Sequence, residues 1–162
     1  MALREISLTL PNRPGTLAGV ARILAQDHIN VAALSVDSAA RTGRVRLIVS
    51  DPDRATELLA RHGYRTEVRE ILAVRLEDRA GSFLRVHEVL AREKVNLLSV
   101  ALLVAREGNQ PLVALSASDP ARARRILQRA GFVSRAAEGL VRKGDLLAEA
   151  SSIPGESVGL LL

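Results

Sequence analysis

The sequence predicts an α+β protein built from two consecutive ferredoxin-like βαββαβ units, each an antiparallel sheet with both helices on one face. Three observations carry this prediction: an internal repeat, apolar spacings that switch between the strand and helix periods, and capping residues at matching places in both copies. The chain has 162 residues, of which 48% are apolar and 25% are charged. That length suffices for two small units, each with a modest core.

The internal repeat covers most of the chain. Seven residues recur sixty-six positions later: Leu10, Arg13, Gly15, Val20, Leu24, Ala25 and Asn30 become Leu76, Arg79, Gly81, Val86, Leu90, Ala91 and Asn96. Ser50-Asp51-Pro52 then recurs as Ser118-Asp119-Pro120, sixty-eight positions later. Two residues are therefore inserted in the second copy, and we expect them in the turn-rich stretch 107–110.

The first strand and the first helix of each copy follow from the apolar spacing. Ile6, Leu8 and Leu10 alternate with polar residues, which is the period of a half-buried strand. The next apolar residues follow helical spacing in both copies: Leu17, Val20, Ile23 and Leu24, then Phe83, Val86, Val89 and Leu90. We expect Thr16 and Ser82 to be the N-caps of these helices.

A hairpin and a second helix come next. The segments 31–36 and 45–49 are apolar strands that we expect to be joined by a turn at 41–43. Asp51 followed by Pro52 predicts a helix N-terminus, and Gly63 predicts the end of that helix. The same signals recur in the second copy at Asp119, Pro120 and Gly131.

The two copies follow each other without a linker. The closing strand of the first copy, at 64–70, runs directly into the opening strand of the second, at 71–76. We therefore expect two packed domains, at 1–70 and 71–138. Residues 139–162 have no counterpart in the first copy, and we expect them to form a C-terminal extension.

The strand–helix loop of the first copy is the place where we expect a ligand. Its sequence is Asn12-Arg13-Pro14-Gly15-Thr16-Leu17, and Gly15 lets a ligand or a neighbouring backbone come close. The first amides of the helix, at the positive end of its dipole, suit a carboxylate or a phosphate. A tight turn without any ligand has the same requirements, so the residues alone leave both interpretations open.

A family resemblance favours the ligand. The loop, together with Asp27-His28-Ile29-Asn30-Val31 at the end of the helix, resembles the signature of the ACT domain, a small regulatory module that senses amino acids. The resemblance covers residues 1–138 as two copies in register. The chain as a whole is similar to stand-alone tandem-ACT proteins, which have no catalytic domain.

The resemblance implies a site for a free amino acid between the strand–helix loop of one ACT unit and the second strand of an adjoining unit. It places Asn12 and Asn30 against the carboxylate and the amino group of the ligand, and the amides of 15–17 against the carboxylate. The implied ligand-binding residues are Asn12, Arg13, Pro14, Gly15, Thr16, Leu17, Asn30 and Val31 in the first copy, and Asp78, Arg79, Gly81, Ser82, Phe83 and Asn96 in the second.

The second copy departs from this signature. Asp78 replaces the asparagine and Ala80 replaces the proline. A carboxylate beside a ligand carboxylate is unfavourable unless it pairs with the amino group of the ligand or with Arg79. Asn30 and Asn96 also have another interpretation, because asparagine is typical of left-handed residues at helix ends.

No pattern in the chain predicts catalysis, a metal site or a cofactor. The chain has no cysteine, and its three histidines are not spaced as metal ligands. The stretch 155–159 matches the Gly-x-Ser-x-Gly nucleophile elbow, but that elbow requires a helix after it and three residues follow here. Together with this absence, the resemblance to tandem-ACT proteins implies a non-catalytic regulatory protein that binds a free amino acid and acts in trans on an enzyme or a regulator.

The net charge of +5 is typical of proteins that bind nucleic acid or anionic metabolites. The basic residues are scattered, however, and three aromatic residues are too few for base-stacking platforms. A nucleic-acid-binding ferredoxin-like protein is thus an alternative function, although we do not expect nucleic acid as a partner. A regulatory subunit of the acetolactate-synthase type, which also begins with an ACT module, is the alternative within the family.

We expect a cytoplasmic protein without a membrane anchor. Cysteine is absent, and no apolar run reaches the roughly 18 residues that span a bilayer. The first six residues are too short and too polar for the apolar part of a secretion signal.

The second copy predicts a homodimer. Its segments 97–104 and 112–115 are apolar on both faces, whereas a sheet covered by helices on one side alternates with polar residues. The first copy is a poor cover for the remaining face, because Ser7, Thr9 and Ser35 are polar. We therefore expect a second chain to cover it.

Overall fold

The computed structural model describes residues 3–107 and 110–132. Ten elements follow one another along them: β1 (Leu3–Pro11), α1 (Thr16–Gln26), β2 (Val31–Ser38), β3 (Thr42–Val49), α2 (Pro52–Arg61), β4 (Thr66–Arg75), α3 (Ser82–Arg92), β5 (Leu97–Glu107), β6 (Gln110–Ala117) and α4 (Pro120–Arg129). This order confirms the predicted α+β fold. The closing strand of the second copy and the extension at 139–162 lie outside the described residues.

The strands form one antiparallel sheet in the order β2-β3-β1-β4-β6-β5. β4 is a single strand, where the sequence predicts two strands that meet between residues 70 and 71. Its first half pairs with β1, with Ile71 opposite Leu3, and its second half pairs with β6, with Val74 opposite Val113. No glycine, proline or turn sequence interrupts the two apolar runs, so the backbone stays extended and both repeats share the sheet.

The helices all pack on one face of this sheet. Each repeat has its own core between the sheet and its two helices. At the centre of the first core lie Ile6 of β1, Leu24 of α1 and Leu59 of α2. At the centre of the second lie Leu72 of β4, Leu90 of α3 and Leu127 of α4. Each of these six side chains is at most 1% exposed. The burial of two amphipathic helices per repeat explains the helical spacing that the sequence shows.

The opposite face of the sheet forms a third core that both repeats share. The sheet curls until its two edge strands, β2 and β5, lie beside each other. Apolar residues of the first repeat pack there against those of the second: Leu3, Ala33 and Ile48 against Ile71, Ala73, Leu103, Leu112 and Ala114. Ser99 Oγ also donates a hydrogen bond across this core to Oε2 of the buried Glu5, at 3.2 Å.

The expectation that the first repeat cannot cover this face of the second is therefore wrong. Along β1 and β3 the inner face is apolar at one end, where Leu3 and Ile48 lie, and polar at the other, where Ser7 and Thr9 lie. The second repeat packs on the apolar end. Alternation along one strand does not reveal such a gradient, because it depends on how the strands are staggered in the sheet.

The N-caps of α1 and α3 are Gly15 and Gly81, and not Thr16 and Ser82 as expected. The two glycines have φ angles of 83° and 86°, a left-handed conformation that a β-branched threonine rarely adopts. Thr16 instead begins the helix and donates its hydroxyl to the carbonyl of Arg13, at 3.0 Å. The caps of α2 and α4 are as predicted. The carboxylates of Asp51 and Asp119 each accept a hydrogen bond from the backbone N–H three residues further along the chain.

Asn30 and Asn96 are not the left-handed residues at the helix ends. His28 and Lys94 hold that conformation, with φ angles of 55° and 54°. At the end of α1, Ile29 N donates to Leu24 O at 2.9 Å and His28 N donates to Ala25 O at 3.1 Å, which closes the helix two residues before Asn30. The hairpin turn lies at 39–41 and not at the predicted 41–43, because β2 extends to Ser38 and β3 begins at Thr42.

Candidate functional site

The strand–helix loop of the first repeat is held in shape by its own backbone. The carbonyl of Arg13 accepts from Thr16 N at 3.3 Å as well as from the hydroxyl of Thr16. A Cβ added at Gly15 would meet no atom within 4 Å, so its positive φ, rather than crowding, is what requires glycine there. No side chain caps the start of α1, and its first amides have no acceptor within the helix.

Asn12 fastens this loop to the β2–β3 turn. Its Nδ2 donates to the carbonyl of Ala39 and its backbone N donates to the carbonyl of Arg41, both at 3.0 Å. The side-chain N–H of Asn12 therefore has a structural partner within the fold. The side chain of Asp78, the matching residue of the second repeat, has no N–H and cannot repeat the bond that Asn12 Nδ2 makes.

A small cleft opens between the loop and the hairpin of the first repeat. It has a volume of about 70 Å³ and is lined by Leu10, Pro11, Asn12, Arg13, Thr16, Leu17, Val36, Ser38, Gly43 and Val45. Arg13 is exposed at its rim and forms no ion pair with any residue that the structure describes. The cleft thus combines apolar walls with a guanidinium and the positive end of α1, which suits a small molecule that carries a carboxylate.

Asn30 and Val31 lie at the other end of α1 from this cleft. The helix has 11 residues, which corresponds to about 16 Å of length. A ligand the size of an amino acid therefore cannot contact Asn12 and Asn30 of the same repeat. A site that uses both needs Asn30 from another ACT unit, as the resemblance implies.

Ser50 and Ser118 have a role that the sequence interpretation does not include. Ser50 Oγ accepts from Asn30 N at 3.0 Å, while Ser50 N donates to Asn30 O at 2.9 Å. Ser118 makes the same two bonds with Asn96, at 3.2 and 2.9 Å. These bonds fix where β2 and β5 begin. The sequence signal for this role is that a serine precedes Asp-Pro in both repeats.

The second repeat has the same loop backbone but a different charge. Arg79 pairs with Glu77, which stands where the first repeat has Pro11. Asp78 adds a second carboxylate beside it. Phe83 is 41% exposed and packs edge-on against His87, with ring centroids 4.2 Å apart. The loop of the second repeat is therefore less suited to a carboxylate than that of the first.

Ion pairs take up much of the basic charge. Among the described residues, eight arginines lie within 4 Å of a carboxylate: Arg4, Arg46, Arg54, Arg61, Arg69, Arg79, Arg122 and Arg124. These pairs are spread over strands and helices in both repeats. Such a distribution differs from the continuous basic stripe that nucleic-acid-binding proteins present.

One of these pairs makes stability depend on pH. Arg54 donates two hydrogen bonds to Asp27, at 2.5 and 2.9 Å, and these bonds lower the pKa of Asp27 from its ordinary value of 3.8. A lowered folded-state pKa stabilises the protein above the unfolded-state pKa, and this stabilisation is lost as the pH falls through the folded-state value. The pair joins the end of α1 to the start of α2.

We expect Asp27→Asn to lower the free energy of unfolding at pH 6 and to have little effect below the lowered pKa, where the wild-type carboxyl is protonated too. Urea denaturation at pH 6 and at successively lower pH measures how the difference shrinks. Glu88→Gln, an exposed site on α3 without an ion pair in the described part of the chain, is the control and should change little across the series. An Asp27→Asn effect that stays the same size as the pH falls would contradict the assignment.

Two further findings concern other kinds of site. No helix in the described part of the chain is both long and apolar enough to cross a bilayer. Within residues 3–107 and 110–132, no three histidine, aspartate or glutamate side chains come together in a group that suits a metal ion.

Known proteins share both the sequence pattern and the fold of this chain. The family model for the ACT domain pair matches residues 1–138. A crystal structure of a protein from Bacteroides thetaiotaomicron has a TM-score of 0.79 and 24% identity, over 88% of this chain and 97% of that one. The ligand-free regulatory subunit of aspartate kinase from Thermus thermophilus has a TM-score of 0.58 and 19% identity, and the match covers 80% of this chain and 92% of that one. The regulatory subunit of aspartate kinase from Thermus flavus has a TM-score of 0.53 and 20% identity, over 80% of this chain and 93% of that one. No curated protein sequence matches significantly.

Proposed function

Because the chain belongs to the family of ACT domain pairs, we propose that it is a non-catalytic regulatory protein that binds a free amino acid and acts on a partner in trans. Its two ACT units occupy residues 1–138, and ACT units are regulatory modules. The proposal therefore assigns the regulated activity to another polypeptide. Regulatory subunits of aspartate kinase share the fold, so an enzyme is one class of partner to test.

The cleft of the first repeat is the observation that carries this proposal. The guanidinium of Arg13, which forms no ion pair within the described residues, and the first amides of α1 suit the ligand carboxylate, while Leu17 and Val45 face its aliphatic part. The α-amino group then requires an acceptor beyond the cleft. The side-chain oxygen of Asn30 from an adjoining ACT unit fits that requirement.

We propose that a second copy of the chain supplies the adjoining unit. An apolar patch on the outer face of β2 and β5, which we call the edge patch, is exposed and consists of Leu34, Val36, Leu98, Val100 and Leu102. Monomers rarely expose contiguous apolar patches of this kind. Val36 also lines the cleft, so a chain that packs on the edge patch closes the cleft as well.

This arrangement provides a route from binding to regulation. A ligand held between two chains stabilises the packing that closes around it over any other packing. A partner that prefers one packing then responds to the amino acid, and the partner alters the amino-acid affinity by the same factor.

We expect at least one free amino acid to raise the melting temperature in a thermal-shift screen of the wild-type protein. A ligand at 100 times its Kd stabilises the folded state by about 2.7 kcal/mol, which is several degrees for a chain of this size. Arg13→Glu should abolish the shift, because it places a carboxylate against that of the ligand. The matched control is Arg79→Glu in the second repeat, which should leave the shift in place.

Two outcomes would contradict this proposal. The absence of a shift with any amino acid would remove ligand sensing. A folded Arg13→Glu variant that still responds would remove the first-repeat cleft from the site.

The alternative function predicts a different result with nucleic acid. A protein that neutralises several phosphates loses affinity steeply as salt rises. Because the arginines are scattered, and eight of those described are paired with carboxylates, we expect only weak binding that does not depend on sequence. A fluorescence-anisotropy titration with RNA and DNA that gives a Kd below about 1 μM at physiological salt would favour the alternative.

A further inference from the structure

A second cleft opens at the polar end of the inner sheet face of the first repeat, where β4 begins. This polar-end cleft has a volume of about 520 Å³, against about 70 Å³ for the cleft beside the hairpin. Its lining includes Ser7 and Thr9 of β1, Arg44 of β3, and Arg65 and Thr66 where β4 begins. A cleft of this volume suits a metabolite larger than a single ion.

Two guanidiniums of the polar-end cleft have no carboxylate partner. Arg44 and Arg65 form no ion pair within the part of the chain that the structure describes. In the register of β2 and β3, Asp37 lies opposite Arg44, but the carboxylate of Asp37 pairs with Arg46 at 2.7 Å. The acidic residue opposite Arg44 is therefore already engaged by another arginine.

The acidic residue of the lining does not balance these two charges. Glu67 is the only aspartate or glutamate among the residues that line the polar-end cleft, and it is paired with Arg69 at 3.6 Å. The charge of Glu67 is thus matched, whereas those of Arg44 and Arg65 are not. Two unmatched cations that line one cleft favour a ligand with negative charge.

Ser7 is the buried hydroxyl of the lining. Its residue is 8% exposed, and its Oγ forms no hydrogen bond with any residue that the structure describes. A buried hydroxyl without a partner is destabilising, and a ligand oxygen in the cleft relieves that cost. Thr9 and Thr66 add two further hydroxyls to the same lining.

The second repeat has no counterpart of this cleft. Ala73 and Leu112 stand at the positions of Ser7 and Arg44. Both are buried in the shared core between the repeats. The polar residues are therefore specific to the end of the sheet face that the second repeat leaves uncovered.

We propose that the polar-end cleft binds a dianionic metabolite, which carries either a phosphate monoester group or two carboxylates. Arg44 and Arg65 donate hydrogen bonds to the anionic groups, because a guanidinium matches two oxygens of a phosphate or a carboxylate. Ser7 Oγ donates to a further oxygen of the ligand. No residue of the loop at 12–17 lines this cleft, so the inference does not rest on the proposed amino-acid site.

The test is a titration of the full chain with inorganic phosphate and, separately, with succinate, at constant ionic strength and in a buffer that contains neither anion. Binding is followed by the amide chemical shifts of Thr9 and Thr66 in nitrogen-15 spectra. We expect saturable shifts with at least one of the two dianions, and the one that saturates at the lower concentration identifies the group that the cleft prefers. No saturable shift with either dianion would overturn the proposal.

Three variants and one control assign the binding to the polar-end cleft. Arg44→Gln, Arg65→Gln and Ser7→Ala should each raise the apparent Kd at least tenfold. Arg129→Gln alters an exposed arginine of α4 that has no ion pair in the described part of the chain, and it should leave the Kd unchanged although it removes the same charge. A Kd that stays at the wild-type value in both Arg44→Gln and Arg65→Gln would overturn the proposal.

A stability measurement separates binding from a structural role. Without a dianion, Ser7→Ala should be as stable to urea as the wild type or more stable, because it removes a buried hydroxyl that has no partner. A Ser7→Ala variant that loses stability and keeps its Kd would contradict the role of Ser7 in binding. Arg13→Glu should keep the dianion response while it loses the amino-acid response, and Arg44→Gln should do the reverse, so failure of one site is distinguishable from failure of the other.

Discussion

Leu112→Ala should lower the stability of both repeats together, by about 2 to 5 kcal/mol. Leu112 is fully buried on the inner face of β6, where it packs in the shared core with Ala33 and Ile48 of the first repeat. A cavity there removes contacts from both repeats at once. Because β4 also runs through both repeats without a break, we expect one cooperative unfolding transition.

The single tyrosine of the chain makes this effect measurable in one repeat. Tyr64 packs against the helix-covered core of the first repeat, and the chain has no tryptophan. Urea denaturation followed by tyrosine fluorescence therefore reports on the first repeat, while far-ultraviolet circular dichroism reports on both. Leu112→Ala should shift both midpoints equally.

The matched control is Leu84→Ala on α3, where the leucine is 60% exposed and its truncation should change neither midpoint. A Leu112→Ala variant whose circular-dichroism midpoint falls while its tyrosine midpoint stays in place would show two independent domains. That result would contradict the shared core.

Leu102→Asp should convert a dimer into a monomer of 17.4 kDa. Leu102 is the most exposed residue of the edge patch, at 74%, so aspartate there changes the surface and leaves the fold intact. In a dimer that buries the edge patch, the same carboxylate is desolvated without a partner, which costs several kcal/mol. Val100→Asp should have the same effect, although Val100 is less exposed, at 42%.

Sedimentation equilibrium at micromolar concentration distinguishes the outcomes. The wild type should sediment at twice the chain mass, and Leu84→Asp, which alters an exposed leucine away from the edge patch, should do the same. A wild type that sediments at the chain mass would contradict the dimer. A Leu102→Asp dimer would place the interface elsewhere on the protein.

Local features of the fold could be predicted because they repeat. Asp51-Pro52 with Gly63, and their second-copy counterparts, fixed both ends of α2 and α4, since an acceptor side chain, a proline and a left-handed glycine each act within one turn. The N-caps of α1 and α3 were predicted wrongly for a related reason. Threonine and serine are good caps in general, but the tight reversal after β1 requires a positive φ that only the glycine before them adopts readily.

The curl of the sheet could not be predicted from the sequence. It depends on β4 continuing through the boundary of the repeats and on the accumulated twist of neighbouring strands. The apolar residues of β5 and β6 correctly indicated a second covered face. They did not reveal that Ala33 and Ile48, which alternate with helix-facing residues, provide the cover.

Part of the predicted loop lies around one cleft. Asn12, Arg13, Thr16 and Leu17 line it and Pro14 and Gly15 do not, and the amino-acid site that the resemblance implies stays a prediction. The separation of Asn12 from Asn30 by the length of α1 follows only from the structure, and it makes a neighbouring unit necessary for a site with both. The polar-end cleft depends on which end of the inner sheet face the second repeat leaves uncovered, and no sequence pattern indicates it.

Titration calorimetry of the wild-type protein with each of the standard amino acids tests the central claim most directly, because it detects binding whether or not stability changes. The account predicts a saturable heat with at least one amino acid, which Arg13→Glu removes and Arg79→Glu keeps. Heats of dilution alone for every amino acid, with protein that is folded by circular dichroism, would contradict it.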